Sequence, residues 1–115
     1  MKLKDRVAIV TGGGKGIGEE ICLGLAKEGA KIVIAEIDIA NSENAKKKIL
    51  DTGSEAIIVK TDVSKKDSIN EMVEKAIQTF GKIDILINNA GIRHVKKLLD
   101  HTKHCLLYTS PSPRD

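Results

Sequence analysis

Short apolar runs alternate with longer amphipathic segments along most of the chain. The runs lie within residues 7–10, 31–37, 56–59 and 83–87. Because apolar residues follow one another there without regular polar alternation, the runs predict strands buried on both faces, as in a parallel sheet.

Three helices are predicted between these strands. In the first, Ile17, Ile21 and Leu25 recur four residues apart on what we expect to be the buried face. Gly29 then supplies a C-cap. The second helix is lysine-rich and runs to about residue 50. The third has the clearest helical period, formed by Ile69, Met72, Val73, Ala76, Ile77 and Phe80, with Gly81 at its end.

Helices of this length between strands predict right-handed crossovers, which place the strands parallel in one sheet. The predicted fold class is therefore α/β, the N-terminal half of a Rossmann-type doubly wound sheet with strand order 3-2-1-4. Ligands bind such sheets beyond the carboxyl ends of the strands, where the strand order reverses. Here that point lies between the first and fourth strands.

Composition narrows the class of protein. The 115 residues include no Trp, one Phe and one Tyr, so a single domain must have an aliphatic core. The net charge of +3 is spread along the chain, which argues against a nucleic-acid interface. Two cysteines make no disulfide framework. With no apolar stretch near the roughly 18 residues of a membrane span and no signal-peptide region, we expect a cytoplasmic protein.

A glycine-rich turn joins the first predicted strand to the first helix. Its candidate ligand-binding residues are Thr11, Gly12, Gly14, Lys15, Gly16, Ile17 and Gly18. Glycines let backbone N–H groups approach a phosphate, and the helix N-terminus favours its negative charge. A P-loop is excluded because two glutamates follow Gly18, and a strict G-x-G-x-x-G is broken at Ile17. The pattern leaves one alternative open, a turn that only tightens the connection.

Glu36 ends the second predicted strand about 20 residues beyond Gly18, the spacing of the carboxylate that binds the adenosine ribose of a dinucleotide. A carboxylate repels a 2′-phosphate and so favours NAD over NADP, whereas the cation of Lys15 favours NADP. Asp38 is a weaker candidate for the same role. The alternative is that Glu36 is an ordinary polar strand end.

Two further polar groups follow the third and fourth strands. Asp62 and Val63 come after strand three, where a carboxylate could accept from the adenine amino group. Asn89, Ala90 and Gly91 come after strand four; the amide donates and accepts, and the small pair lets a ligand lie against the backbone. Each could be ordinary turn chemistry. Four such groups at the ends of successive strands instead predict one dinucleotide site.

The motifs TGGGKGIG, Glu36, DV at 62–63 and NNAG at 88–91 together resemble the short-chain dehydrogenase/reductase family. The nearest likeness is to its 3-oxoacyl-(acyl-carrier-protein) reductase and glucose-dehydrogenase-like branch, from about residue 4 to residue 92. The resemblance implies an NAD(P)-dependent oxidoreductase whose glycine turn binds pyrophosphate, whose Asp62 and Val63 hold adenine, and whose residues 89–91 line ribose and nicotinamide. It also implies an alcohol, ketone or acyl-carrier substrate and a homotetrameric full-length parent.

Members of that family carry a catalytic Asn, Ser, Tyr and Lys beyond NNAG, the last two as Tyr-x-x-x-Lys with Tyr as general acid/base. Here the single tyrosine is Tyr108, and Ser112 stands where the lysine is expected. We therefore expect no catalytic residues and an inactive, cofactor-binding fragment. The alternative is a naturally short, non-catalytic dinucleotide-binding module.

The three histidines are His94, His101 and His104. We interpret them as surface residues rather than metal ligands, because no suitable set of carboxylates or cysteines accompanies them.

Residues 105–115 differ in character from the rest. We expect residues 1–104 to be a truncated dinucleotide-binding domain and residues 105–115 to be a non-native tail. The order CLLYTSPSPRD back-translates to a transposase-type sequencing adapter, CTGTCTCTTATACACATCT followed by CCGAGCCCACGAGAC, whose first base completes the His104 codon. A native Ser/Pro-rich tail is the alternative. On the adapter interpretation, the fourth strand is an unpaired apolar edge, which favours aggregation.

The DNA that encodes residues 105–115 tests the adapter interpretation. We expect every codon from Cys105 onward to be the adapter triplet rather than a synonym, because a sequencing primer has one fixed sequence. The untrimmed read on either side of the His104 codon is the measurement. Synonymous codons in this stretch would overturn the interpretation.

Overall fold

Parallel strands and helices alternate in the computed structural model, which describes residues 2–14, residues 16–89 and the backbone of residues 106–109. The strands are β1 (Val7–Thr11), β2 (Lys31–Glu36), β3 (Ala56–Lys60), β4 (Ile85–Asn88) and β5 (Leu106–Thr109). The helices are α1 (Gly16–Lys27), α2 (Ile39–Asp51) and α3 (Lys66–Phe80). The sheet order is β3-β2-β1-β4-β5, which confirms the predicted order of the first four strands.

The sheet separates two apolar clusters. The cluster on one face combines strand residues Ala8, Val10, Ile32 and Ile34 with Cys22 and Ala26 of α1 and Ala45 and Ile49 of α2. The cluster on the other face combines Val7, Ile9, Val33 and Ala35 with Ile69, Met72, Val73 and Ala76 of α3. Because helices cover both faces, β1 is buried at every position, which is why its sequence lacks polar alternation.

The apolar face that the sequence indicates for α1 is only partly buried. The helix buries Gly18, Cys22 and Ala26, whereas Ile17 is 65% exposed. Ile21 and Leu25 are half-buried beside the cluster on the α1 face of the sheet. The reason is steric: α1 begins against the turn that precedes it, and only small side chains fit between the helix and the sheet.

The prediction for α3 was mostly confirmed. Ile69, Met72, Val73 and Ala76 are buried, but Ile77 is 39% exposed. Gly81 ends the helix as predicted: it adopts φ 85°, in the left-handed region, and its N–H donates to Ile77 O.

The expectation that β4 is an unpaired edge was wrong. Residues 106–109 form β5, which lies parallel to β4 with Leu106 opposite Ile85 and Thr109 opposite Asn88. The physical reason is that the open N–H and C=O groups of an edge strand pair with any extended segment that has strand-forming residues.

Asp84 joins the starts of β1 and β4 at the amino end of the sheet. Its carboxylate accepts the Val7 N–H at 2.9 Å, and its own N–H donates to Val7 O at 2.9 Å. Lys82 Nζ lies 3.2 Å from one carboxylate oxygen, and Arg6 Nη1 lies 3.5 Å from the other. Burial alone would raise the pKa of this carboxyl, but the Val7 N–H and the two cations outweigh it, so the pKa is lowered.

We expect Asp84→Asn to lower the free energy of unfolding by about 1 kcal/mol near neutral pH, through loss of a charge-assisted hydrogen bond. Because the folded pKa lies below the ordinary value of 3.8, this contribution is present above 3.8 and is lost as the pH falls through the folded pKa. Urea unfolding from about pH 7 to about pH 3 measures it, and the difference from the unsubstituted chain should shrink as the pH falls below 3.8.

The matched control is Glu74→Gln, at an exposed position of α3, which should leave stability nearly unchanged. A difference for Asp84→Asn that stays constant with pH would show that the carboxylate charge is not the cause.

Candidate functional site

The turn from β1 to α1 is the centre of the candidate site. Gly12 and Gly16 adopt φ values of 66° and 60°, in the left-handed region that side chains disfavour. The Gly12 N–H donates to Ala35 O at 2.8 Å, which fixes the turn to the end of β2. Because α1 starts at Gly16, the positive end of its dipole directly follows the turn.

Gly14 and Gly18 are required by close packing rather than by φ. A Cβ on Gly18 would lie 2.0 Å from Gly12 O, a contact that no side chain can make. A Cβ on Gly14 would lie 2.8 Å from Ser42 Oγ and 3.1 Å from Glu36 Cγ. The turn is therefore held between the starts of α1 and α2, and both glycines are buried by their neighbours.

Cys22 of α1 supports the turn through a hydrogen bond. Its Sγ donates to Gly13 O at 3.8 Å, and the side chain is fully buried. Burial, helped by the negative charge of Glu19, raises the pKa of the thiol to about 12. The sulfur therefore keeps its proton and remains a hydrogen-bond donor.

The end of β4 is tied to the same turn. Asn89 Nδ2 donates to Gly12 O at 3.4 Å, and Thr11 Oγ1 donates to Ile87 O at 3.3 Å. The fold thus brings together two of the predicted groups, the glycine turn and the start of the Asn-Ala-Gly segment. The predicted site residues Lys15, Ala90 and Gly91 lie outside the described residues.

The two candidate acids after β2 have different positions. Glu36 is half-buried at the carboxyl end of β2, beside Gly14. Asp38 is the N-cap of α2, where its carboxylate accepts from the Asn41 backbone N–H at 3.2 Å and from Asn41 Nδ2 at 2.7 Å. Of the two, Glu36 is therefore the acid that the fold brings to the turn.

Asp62 lies after β3 in a tight turn. Its Oδ1 accepts from the Ser64 N–H at 3.0 Å and from Ser64 Oγ at 2.6 Å. The hydroxyl of Ser64, followed by its N–H, lowers the pKa of Asp62, so the carboxylate is charged at neutral pH. The next residue, Val63, is half-buried against the α3 cluster.

Two exposed apolar side chains flank these polar groups. Ile17 in the glycine motif is 65% exposed, and Ile37, which directly follows Glu36, is 58% exposed. Single exposed apolar side chains are common on protein surfaces, so what distinguishes these two is their place in the chain, within the glycine motif and directly after Glu36. Sequence reasoning missed Ile37; its signal was an isoleucine at the position where the chain leaves the sheet.

Other classes of site find no support in the part of the chain that the structure describes. No group of three His, Cys, Asp or Glu residues there could hold a metal ion, and the three histidines lie outside this part. None of the described helices combines the length and the hydrophobicity that crossing a membrane requires.

Comparison with known proteins gives one consistent family. The sequence model described as short chain dehydrogenase matches residues 6–106. An uncharacterized oxidoreductase of Thermotoga maritima is 40% identical over 98 residues, which are 85% of this chain and 38% of that protein.

Two solved structures are similar in sequence and fold. NAD+-bound xylitol dehydrogenase has a TM-score of 0.77 at 35% identity and matches 79% of this chain and 35% of its own. A 3-ketoacyl-(acyl-carrier-protein) reductase from Brucella melitensis, complexed with NADH, has a TM-score of 0.71 at 44% identity and matches 77% and 35%. The chain thus spans little more than a third of the length of these relatives.

Gly18→Ala tests the close approach between α1 and the turn. The new Cβ would meet the backbone oxygen of Gly12, so we expect the turn to shift and the free energy of unfolding to fall by about 1–3 kcal/mol. Urea unfolding followed by circular dichroism measures the change.

Gly24→Ala is the matched control on the same helix, since a Cβ there meets nothing within 4 Å. We expect it to stabilise the chain by about 0.5–1 kcal/mol through helix propensity. Equal effects of the two substitutions would contradict a steric role for Gly18.

Proposed function

The chain belongs to the short-chain dehydrogenase family, and we propose that it supplies the dinucleotide-binding half of an NAD(P)-dependent oxidoreductase. One observation carries the proposal: at Gly14 and Gly18 the β1–α1 turn has no space for a side chain, directly before a helix N-terminus. Bare backbone beside a positive helix end is what a pyrophosphate requires. A turn that only tightens the connection would not need Asn89 and Glu36 at the same place.

The glycine turn binds the pyrophosphate in this proposal. Gly16 at the start of α1 is exposed, Gly14 and Gly18 pack closely against their neighbours, and Thr11 and Cys22 hold the turn to β4 and α1. Lys15 of the same motif adds a positive charge near the phosphates. The role of the helix is electrostatic and needs no proton transfer.

Glu36 binds the adenosine ribose. Its position beside Gly14, at the end of β2, supports acceptance of hydrogen bonds from the 2′- and 3′-hydroxyl groups. The same negative charge repels a 2′-phosphate, so NAD is preferred over NADP. Asp38 is unsuited to this role because the α2 cap already uses both of its carboxylate oxygens.

The adenine ring lies between apolar and acidic groups. Asp62 accepts from the exocyclic amino group, and Val63 and Ile37 contact the ring. Ile17, which is exposed at the start of α1, covers the pyrophosphate. Asn89, Ala90 and Gly91 line the ribose and nicotinamide.

A bound dinucleotide would supply hydride exchange with an alcohol or ketone, an acyl-carrier substrate included, in the full-length parent enzyme. The residues of this chain bind and orient the dinucleotide. The sequence offers no residues to transfer the proton, because its single tyrosine is followed four residues later by Ser112 rather than by a lysine. We therefore propose that this chain binds the dinucleotide without turnover, and that the parent enzyme is a cytoplasmic homotetramer.

Glu36→Gln tests the proposed function together with the cofactor preference. Loss of the charge-assisted hydrogen bond should weaken NAD+ binding about tenfold, and loss of repulsion should leave NADP+ unchanged or tighter. Isothermal titration calorimetry of both dinucleotides with the purified chain measures the ratio of their dissociation constants.

Glu43→Gln, at an exposed position of α2 one turn beyond the cap, is the control and should leave both constants unchanged. Tighter binding of NADP+ than of NAD+ by the unsubstituted chain would refute the NAD preference. If neither dinucleotide binds, the proposed function itself fails.

A further inference from the structure

Two serines hold Asp62, one through its main chain and the other through its side chain. Ser68 Oγ accepts the Asp62 backbone N–H at 2.8 Å, which fixes the main chain. Ser64 donates both its N–H and its hydroxyl to Asp62 Oδ1, which fixes the side chain. Both donors use the same carboxylate oxygen, so Oδ2 receives no hydrogen bond from the described residues.

Ser68 connects this turn to the rigid part of the fold. It lies in the first turn of α3, next to Ile69, which is only 2% exposed in the core. The N-cap of α3, Lys65, makes no side-chain capping bond, and its N–H instead donates to Asp62 O at 3.0 Å. The Asp62 turn is therefore closed on itself by Lys65 and anchored to the α3 core by Ser68.

The turn is also fixed to the neighbouring strand. The Thr61 N–H donates to Glu36 O at 3.0 Å, and Thr61 is 2% exposed. The residue before Asp62 thus bonds to the residue that we propose binds the ribose. The main chain of the Asp62 turn is therefore tied to the end of β2, where Glu36 stands.

We propose that Ser68 is a positioning residue that, with Ser64, fixes Asp62 Oδ2 to accept the exocyclic amino group of adenine. The proposal rests on the dinucleotide binding proposed above. A carboxylate held by hydroxyl and N–H donors loses little conformational entropy when it forms this bond, whereas a mobile carboxylate would lose more. Ser68 therefore acts through Asp62 and contacts no ligand.

Nicotinamide hypoxanthine dinucleotide separates this role from general folding. It carries a carbonyl oxygen where NAD+ carries the amino group and an N1–H where adenine has an unprotonated ring nitrogen, and its other parts are the same. A correctly held Asp62 should favour NAD+ over this analogue about tenfold, the value of a charge-assisted hydrogen bond at a partly exposed site. Calorimetric titration of both dinucleotides gives the ratio.

In Ser68→Ala we expect this ratio to fall to within about twofold of one, and in Ser68→Thr, which keeps the hydroxyl, to remain near that of the unsubstituted chain. Ser64→Ala removes one exposed donor without affecting the core, so it should fold normally and lower the ratio about threefold. In an Asp62→Ala background, Ser68→Ala should produce no further change in the ratio.

The alternatives give different results. If Ser68→Ala weakens the binding of both dinucleotides equally and leaves the ratio of their dissociation constants unchanged, Ser68 only stabilises the fold and the inference is overturned. An unchanged ratio in Ser64→Ala would overturn the role of Ser64 even if Ser68→Ala could not be purified. Failure of the unsubstituted chain to bind either dinucleotide contradicts the proposed function, and so is distinguishable from both.

Discussion

The close approach of Gly18 to the carbonyl of Gly12 determines most of the candidate site. It brings the first turn of α1 against the turn that precedes it, so the helix can bury only Gly18, Cys22 and Ala26 against the sheet. The larger Ile17 is displaced to the surface. The small buried face of α1 and the exposed side chain of Ile17 are thus two consequences of one steric contact.

This constraint explains where the sequence could and could not predict the structure. Apolar runs without polar alternation predicted four strands and their order, because burial on both faces allows few other residues. Helical periodicity alone did not show which residues α1 buries most deeply, since it does not record how closely the helix approaches the sheet. Gly18 and Cys22 carried that information only as small residues, a much weaker signal than two isoleucines and a leucine in register.

Residues of the candidate site that belong to motifs were predicted, and residues that support them were not. Glu36 and Asp62 stand at the ends of strands, which the apolar runs of the sequence locate. Ser68 bonds to Asp62 across six positions and a change from strand to helix, so no local pattern indicates it. The pairing of residues 106–109 with β4 was missed for a different reason: it depends on an open edge rather than on any motif.

Carboxylates at the two ends of the sheet differ in how many hydrogen bonds and ion pairs they make within the fold. At the amino end, Asp84 is held by Val7, Lys82 and Arg6, and its charge is used within the fold. At the carboxyl end, Asp62 keeps one oxygen without a bond from the described residues, and Glu36 lies beside Gly14, where the turn has no space for a side chain. The glycine turn, Glu36 and Asp62 are fixed by contacts among β1, β2, β3 and the three helices, and Thr11 and Asn89 tie the same turn to the end of β4. Three of the four polar groups that the sequence predicted therefore depend on elements that come before β4, and the fourth begins at Asn89 against the same turn.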